Sequence, residues 1–276
     1  MSVGANIKRI RETAGPKQCR MTQEELAEKL GVSFQAVSAW ERDEYLPDTT
    51  NLKKLADALG VSASAILEDR AGTFKTKDAI YDWEHMKTFV KTAARNYGLP
   101  NALKAVDYAV EKHKGQPRKN TDVPYIVHPL TLACHALAMG FKDDQIIAAC
   151  LLHDVVEDCK VNAKDLPFDE DIREMVRLLS HEKTTPENRD QVMEAYYGAM
   201  TVNPKVVLVK CIDRCNNLTT MSWGLSRDRM YRMITETEKY YPALLDQLKS
   251  TVEYNDAYWM LKYQIESMLD IYKRLW

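Results

Sequence analysis

Between Ile146 and Val156 the chain reads Ile-Ile-Ala-Ala-Cys-Leu-Leu-His-Asp-Val-Val, apolar everywhere except at the adjacent His153 and Asp154. On a helix such a segment is buried nearly all round. An imidazole and a carboxylate side by side in that setting are costly unless they are paired or hold a metal. A second segment repeats the problem, because Val206, Val207, Leu208, Val209, Cys211 and Ile212 surround Asp213. Two carboxylates buried in one domain invite a cation.

The remaining pattern is helical in period, with no long alternating strand pattern, so an all-α protein is expected. At 276 residues the chain is comfortable as two domains. A polar stretch around Gly72 separates two helical patterns and predicts residues 1–69 as one domain, 70–77 as a linker and 78–276 as a second domain. Five short helices fit residues 5–69. Longer ones are predicted over about 78–96, 100–114, 129–140, 143–158, 169–180, 188–200, 204–221, 227–250 and 256–275. The last has an apolar stripe at Leu261, Ile265, Met268, Tyr272 and Leu275, with the spacing of a coiled-coil seam. Docking on its own domain is the favoured reading, and a homodimer seam is the other.

A composition of 45% hydrophobic and 28% charged residues supports a buried core, and a net charge of −2 excludes a whole-chain basic footprint for nucleic acid. No apolar stretch approaches a membrane span, and the first residues lack the apolar run of a signal peptide. The six cysteines form no CxxC pair and read as reduced thiols, so a cytoplasmic protein is expected.

In the first domain Thr22 and Glu25 form a capping box, Gly31 ends the helix, and Ser33 caps the next. Leu26, Ala27 and Leu30 then face Val37 and Trp40 across a tight turn. The run Thr22–Arg42, with Leu46-Pro47-Asp48 and the later Leu52, Leu55 and Leu59, resembles the helix-turn-helix of the lambda-repressor-like (XRE) family. On its second helix Ser33, Gln35, Ala36 and Ser38 are expected to face outward toward a major groove, and Gln23 toward a phosphate. Against DNA stands the charge: ten basic and eleven acidic residues through Arg70 leave −1, with Asp43 and Glu44 just past the recognition helix. Such a module binds weakly unless it dimerises, and a protein-docking role is the alternative.

The second domain carries three sharper segments and a weaker one: His113–Pro129, His153–Asp158, Lys210–Asn217 and Ser180–Lys183. His128 precedes Pro129, a favourable first helical residue, and can point into the bundle. With His153, Asp154 and Asp213 it makes a mixed nitrogen and oxygen set suited to Mn²⁺, Fe²⁺ or Zn²⁺. Glu157 shares their helix face, and Asp158 lies one step round. Each residue alone has a plainer reading. A buried histidine is commonly a satisfied core residue, Arg214 can neutralise Asp213, and Lys183 and Arg118 can be solvated charges.

Taken together these segments resemble the hydrolase domain of RelA/SpoT homologues and the small alarmone hydrolases, whose pattern is roughly HxGQxR…PYxxHP, HDxVEDT and KxADRxxN. The match covers about residues 100–222. Cys159 stands where the family has threonine, Ile212 where it has alanine, and the loop after Arg118 is one residue longer. The resemblance implies an HD-type helical bundle with His128, His153, Asp154 and Asp213 as manganese ligands. It makes Glu157 and Asp158 the residues that position or activate water. Arg118 would cradle guanine with Tyr125 nearby, Asn217 would touch the nucleoside and Lys183 the phosphates. Lys114, Lys119, Lys183 and Arg214 are the candidates to hold pyrophosphate. The implied reaction is hydrolysis of the 3′-pyrophosphate of (p)ppGpp, the alarmone of the stringent response, coupled to a DNA-binding regulatory domain. The alternatives are a nucleotide sensor without turnover, or the same chemistry on an adenosine alarmone or the 2′-phosphate of NADPH.

Overall fold

The computed structural model describes residues 2–13, 21–67, 82–118, 121–182, 184–185 and 187–275. The predicted linker 70–77, Lys119 and Lys183 lie outside the described residues. The chain divides into two compact units, Met1–Lys75 and Thr76–Trp276. Both are all-α; among the described residues the only extended pairing is an isolated bridge between Pro117 and Pro124.

The first unit consists of α1 (Val3–Thr13), α2 (Gln23–Leu30), α3 (Phe34–Glu41), α4 (Thr49–Leu59) and α5 (Ala63–Leu67). Thr22 and Glu25 close the predicted capping box, and Gly31 takes the left-handed conformation at φ 69° that ends α2. Ser33 caps α3 through the amide of Ala36. Ile7, Leu26, Val37, Leu55 and Ile66 are fully buried and, with Trp40, form the core. A buried ion pair spans that core: Arg11 Nε donates to Glu41 Oε1 at 2.6 Å. Asp43 sits at φ 59° and caps α1, accepting from the Gly4 amide at 2.7 Å and from the Ser2 hydroxyl. A Cβ on Gly4 would stand 2.2 Å from the Trp40 carbonyl, so α1 and α3 approach at a distance only glycine permits.

The second unit contains α6 (Trp83–Tyr97), α7 (Pro100–Lys112), α8 (Val127–Ala138), α9 (Asp144–Leu152), α10 (Val155–Asp158), α11 (Glu170–Leu179), α12 (Arg189–Met200), α13 (Pro204–Thr220), α14 (Arg227–Ser250) and α15 (Asn255–Arg274). Helix α9 is the centre. Every residue from Ile146 to Leu152 is buried, and the helix packs on α7, α8, α11 and α13. Each large aliphatic side chain buried this way contributes about 1.5–3 kcal/mol. The start of α9 is tied to its neighbours by carboxylates. Asp143 caps α9 through the amides of Gln145 and Ile146 and pairs with Lys205 of α13 at 2.5 Å. Asp144 accepts from the first amides of α7, at 3.0 Å from Asn101 and 2.7 Å from Ala102. These ties fix where the far end of α9, with its histidine, arrives.

One predicted helix is two. The pattern over 143–158 is continuous, yet the helix breaks after His153. Asp154 adopts φ −97° and ψ −4°, and a short helix restarts at Val155. The stripe predicted on the last helix is docked inward as favoured: Leu261, Ile265 and Tyr272 are buried and Met268 packs on the core, while Leu275 stays exposed.

Candidate metal and nucleotide site

The break between α9 and α10 is what lets two adjacent residues reach one point. On an unbroken helix His153 and Asp154 would diverge by about 100°. With the helix interrupted, Asp154 Oδ2 comes within 2.9 Å of His153 Nε2. His128 enters from the first turn of α8. That helix begins at Val127 rather than at Pro129; the proline sits inside the first turn, where a missing N–H costs nothing. Its Nε2 lies 3.2 Å from that of His153 and 3.4 Å from Asp154 Oδ2. Asp213 closes the group from α13, with Oδ1 3.2 Å from His128 Nε2 and 3.8 Å from His153 Nε2. All four predicted ligands therefore converge from α8, the α9–α10 break and α13.

The hydrogen bonds behind the rings fix their chemistry. His153 Nδ1 lies 2.9 Å from the Cys150 carbonyl, which can only accept, so Nδ1 carries the proton. His128 Nδ1 lies 2.6 Å from Asn216 Oδ1, an oxygen that also accepts from Arg118 Nη1 at 3.1 Å. Both Nε2 atoms therefore face each other and two carboxylates, a buried cluster that calls for positive charge, as a proton on an imidazole or as a metal ion. Metal bonds of about 2.0–2.2 Å place neighbouring donors roughly 3–3.6 Å apart; the separations here run from 2.9 to 3.8 Å, with His128, His153 and Asp154 mutually closest and Asp213 joining them through His128. The donor set fits a divalent transition metal. Left to itself, burial would lower the affinity of His153 for a proton; Asp154 and Asp213 overcome this and push its pKa to about 9.

A second layer holds the carboxylates. Tyr125 donates its phenol to Asp154 Oδ2 at 2.6 Å, and its ring stacks on buried His113 with centroids 4.8 Å apart. Burial, then the charges of Asp154 and Asp158, hold the phenol well above its ordinary pKa. Lys210 donates to Asp213 Oδ2 at 3.0 Å, and Asn217 Nδ2 donates to Oδ1 at 2.6 Å. Arg118 bridges the two asparagines, its Nη2 lying 3.1 Å from Asn217 Oδ1. The Pro117–Pro124 bridge and the 2.7 Å bond from the Tyr125 amide to the Gln116 carbonyl carry Arg118 and Tyr125 inward. Glu157 lies at the exposed mouth, where its Oε1 accepts from the His181 amide at 2.9 Å. Desolvation of its carboxyl, reinforced by Asp154, raises its pKa, although His181 and Lys210 oppose this. Asp158 and Lys114 are exposed.

Several expectations need correction. Arg214 faces neither pyrophosphate nor Asp213. It is buried and donates to Glu236 Oε1 at 2.6 Å and to the Tyr197 hydroxyl at 2.9 Å. The cation beside Asp213 is Lys210, and Asn216 orients His128; both were overlooked as site residues. Their positions three before and three after Asp213 on one helix were the available signal. In the first unit Ser33 and Gln35 are exposed and Ala36 is half-buried, but Ser38 is buried and accepts from Arg42 Nη1 at 2.8 Å. Half-buried Gln23 donates to Glu41 at 2.6 Å instead of standing free for a phosphate. Asp43 and Glu44 are engaged as well, Glu44 with Arg42 at 2.8 Å.

A helix-turn-helix family model matches residues 7–66, and an HD domain family model matches residues 105–244. The guanosine-3′,5′-bis(diphosphate) 3′-pyrophosphohydrolase MESH1 of Xenopus tropicalis is 34% identical over 139 residues, covering 47% of this chain and 77% of that protein. A guanosine-3′,5′-bis(diphosphate) 3′-pyrophosphohydrolase of Borreliella burgdorferi is 28% identical over 169 residues, 59% of this chain and 25% of that one. The bifunctional (p)ppGpp synthase/hydrolase SpoT of Escherichia coli is 29% identical over 61% of this chain and 25% of its own length. The match thus spans about a quarter of the long bacterial relatives. A solved metazoan ortholog of SpoT shares the fold, with a TM-score of 0.50 at 20% identity over 62% of this chain and 94% of that one.

Proposed function

The chain belongs to the HD domain family, and from that membership we propose that its second unit hydrolyses the 3′-pyrophosphate of (p)ppGpp, with a divalent metal, Mn²⁺ foremost, held by His128, His153, Asp154 and Asp213. Four lone-pair donors from three separate elements, 2.9–3.8 Å apart across the pairs that involve a histidine, carry this reading. The names of the relatives supply the substrate.

A metal bound there supplies a Lewis acid that acidifies water and offsets phosphate charge. The chain's own residues do the rest. Glu157, with its raised proton affinity, accepts a proton from the attacking water, and Asp158 supports it. The water oxygen bonds to the phosphorus attached to the 3′-oxygen, that P–O bond breaks, and the 3′-oxygen takes up a proton as pyrophosphate departs. Arg118, steadied by Asn216 and Asn217, offers a planar guanidinium on which guanine stacks. Tyr125 and Asn217 hold Asp154 and Asp213 in place and border the nucleoside. Lys114 and Lys183 attract the phosphates.

The test is chromatography of products after incubating purified protein with Mn²⁺ and ppGpp. GDP and pyrophosphate are expected, and a chelator should stop their release. Tight binding without turnover would instead identify a sensor, and orthophosphate from NADPH a different substrate.

For the first unit we propose DNA binding through α3, with Gln35 and Ser33 at its exposed start reading base edges. The helix-turn-helix match supports this. A gel-shift series on the protein's own upstream DNA should show affinity falling steeply with salt; no shift at low salt would assign the unit to protein docking.

A further inference from the structure

Helix α15 has two apolar faces, and its own domain uses only one. The outer face exposes Trp259 at 59%, Tyr263 at 74%, Ile271 at 48% and Leu275 at 70% of their surfaces. The order of these residues is symmetric about Ser267: Tyr263 and Ile271 lie four positions to either side of it, Trp259 and Leu275 eight. Steps of four form one ridge along a helix, and two such ridges interlock when helices cross at about −50°. Ser267, small and half-buried, marks the point where two backbones can approach most closely.

We propose that two copies of the chain associate through this face, α15 against α15, antiparallel across a two-fold axis passing at Ser267. Tyr263 of one copy then packs against Ile271 of the other, with Trp259 and Leu275, about 80° round the helix from Ser267 on either side, at the edges of the contact. The same patch serves both sides, as a two-fold contact requires. Residue type fits the antiparallel direction, which sets the aromatic pair Trp259 and Tyr263 of one copy toward the aliphatic pair Leu275 and Ile271 of the other; Lys273 and Arg274 are already paired within the chain, with Glu238 and Asp270. Trp259 and Tyr263 alone leave on the order of 250 Å² of aromatic surface in water. With Ile271, Leu275 and Met260 the apolar surface of the face comes to roughly 600 Å², about three-quarters of the ~800 Å² that a standard interface buries per partner, the polar rim supplying the rest. Pairing also places two helix-turn-helix units in one particle, which strengthens a near-neutral DNA-binding module by raising its effective concentration.

Sedimentation velocity of the full chain tests this. The wild type should run at twice 31.7 kDa at micromolar concentration. Tyr263→Glu should run as a monomer with an unchanged far-ultraviolet spectrum. The double variant Tyr263→Glu with Ile271→Lys should recover the dimer, because each glutamate then meets a lysine across the axis. Ser267→Cys should form an interchain disulfide under mild oxidation that the parent chain does not form. A monomeric wild type overturns the proposal. So does a dimer indifferent to Tyr263→Glu, or a double variant that stays monomeric.

Discussion

Asp213 and Arg214 are consecutive on α13, and both are buried, yet they enter clusters of opposite character. Arg214 meets Glu236 and Tyr197, and Glu236 also takes a hydrogen bond from Arg189 at 2.7 Å. The guanidinium lies over the Tyr241 ring at 4.7 Å. Glu236 answers both guanidinium groups there, although the Arg214 Nε and the Tyr241 hydroxyl are without a hydrogen-bond partner among the described residues. Asp213 joins Asp154 and two histidines, so that nitrogen and oxygen donors from three elements face one another. Burial of charge, or a single unpaired donor, therefore does not mark a functional site. Convergence of metal-type donors from separate elements does.

The largest effect belongs to Asp213→Ala. Pyrophosphate release should fall by at least ~10³-fold, because a metal ligand and its charge are lost together. The metal-free variant should also lose stability, because Lys210 is left without the carboxylate it donates to at 3.0 Å. Pyrophosphate release within a few-fold of wild type would mean that Asp213 holds no ion.

Glu236→Ala should cost stability alone. Leaving Arg214 buried without its carboxylate costs about 3–5 kcal/mol in urea unfolding, while the fraction still folded keeps its turnover. The pair has an acid limb too. Burial alone would raise the Glu236 pKa, but Arg214 holds it below the ordinary 4.5. Its contribution is complete above that value and disappears as pH falls through the lower folded-state pKa. Stability of the wild type should drop over that window and that of the variant should not; parallel acid profiles would contradict the assignment.

Metal addition is the next effect in size. Mn²⁺ at a hundred times its Kd should stabilise the wild type by about 2.7 kcal/mol and Asp213→Ala negligibly. Equal stabilisation of both would place the ion elsewhere. The smallest effect is expected from Asn216→Ala, which frees His128 to turn and should weaken metal affinity by roughly 10–100-fold. Unchanged affinity would mean that the ring needs no such support.

Much of this was legible in residue order. Apolar periodicity located the helices of the second unit to within a few residues, because amphipathic faces and Pro or Gly boundaries are local signals. The four ligands stood out because each interrupts an apolar run. The break after His153 was hidden, since Val155 and Val156 continue the apolar pattern across it. The fates of Arg214 and Lys210 were hidden for another reason. Both are cations near Asp213 in sequence, and only the packing of α12 and α14 against α13 decides which one turns toward it. Ser38 and Gln23 were misplaced similarly, because their partners Arg42 and Glu41 become neighbours only once α3 is formed and docked.

The two imidazoles are oriented by unequal means. The proton on His153 points at a main-chain carbonyl, an atom that no codon specifies and no side-chain replacement can delete. The proton on His128 points at the amide of Asn216, which a single-nucleotide change can remove. A lineage relieved of selection for this chemistry would therefore degrade one half of the ion's cradle by drift long before the other.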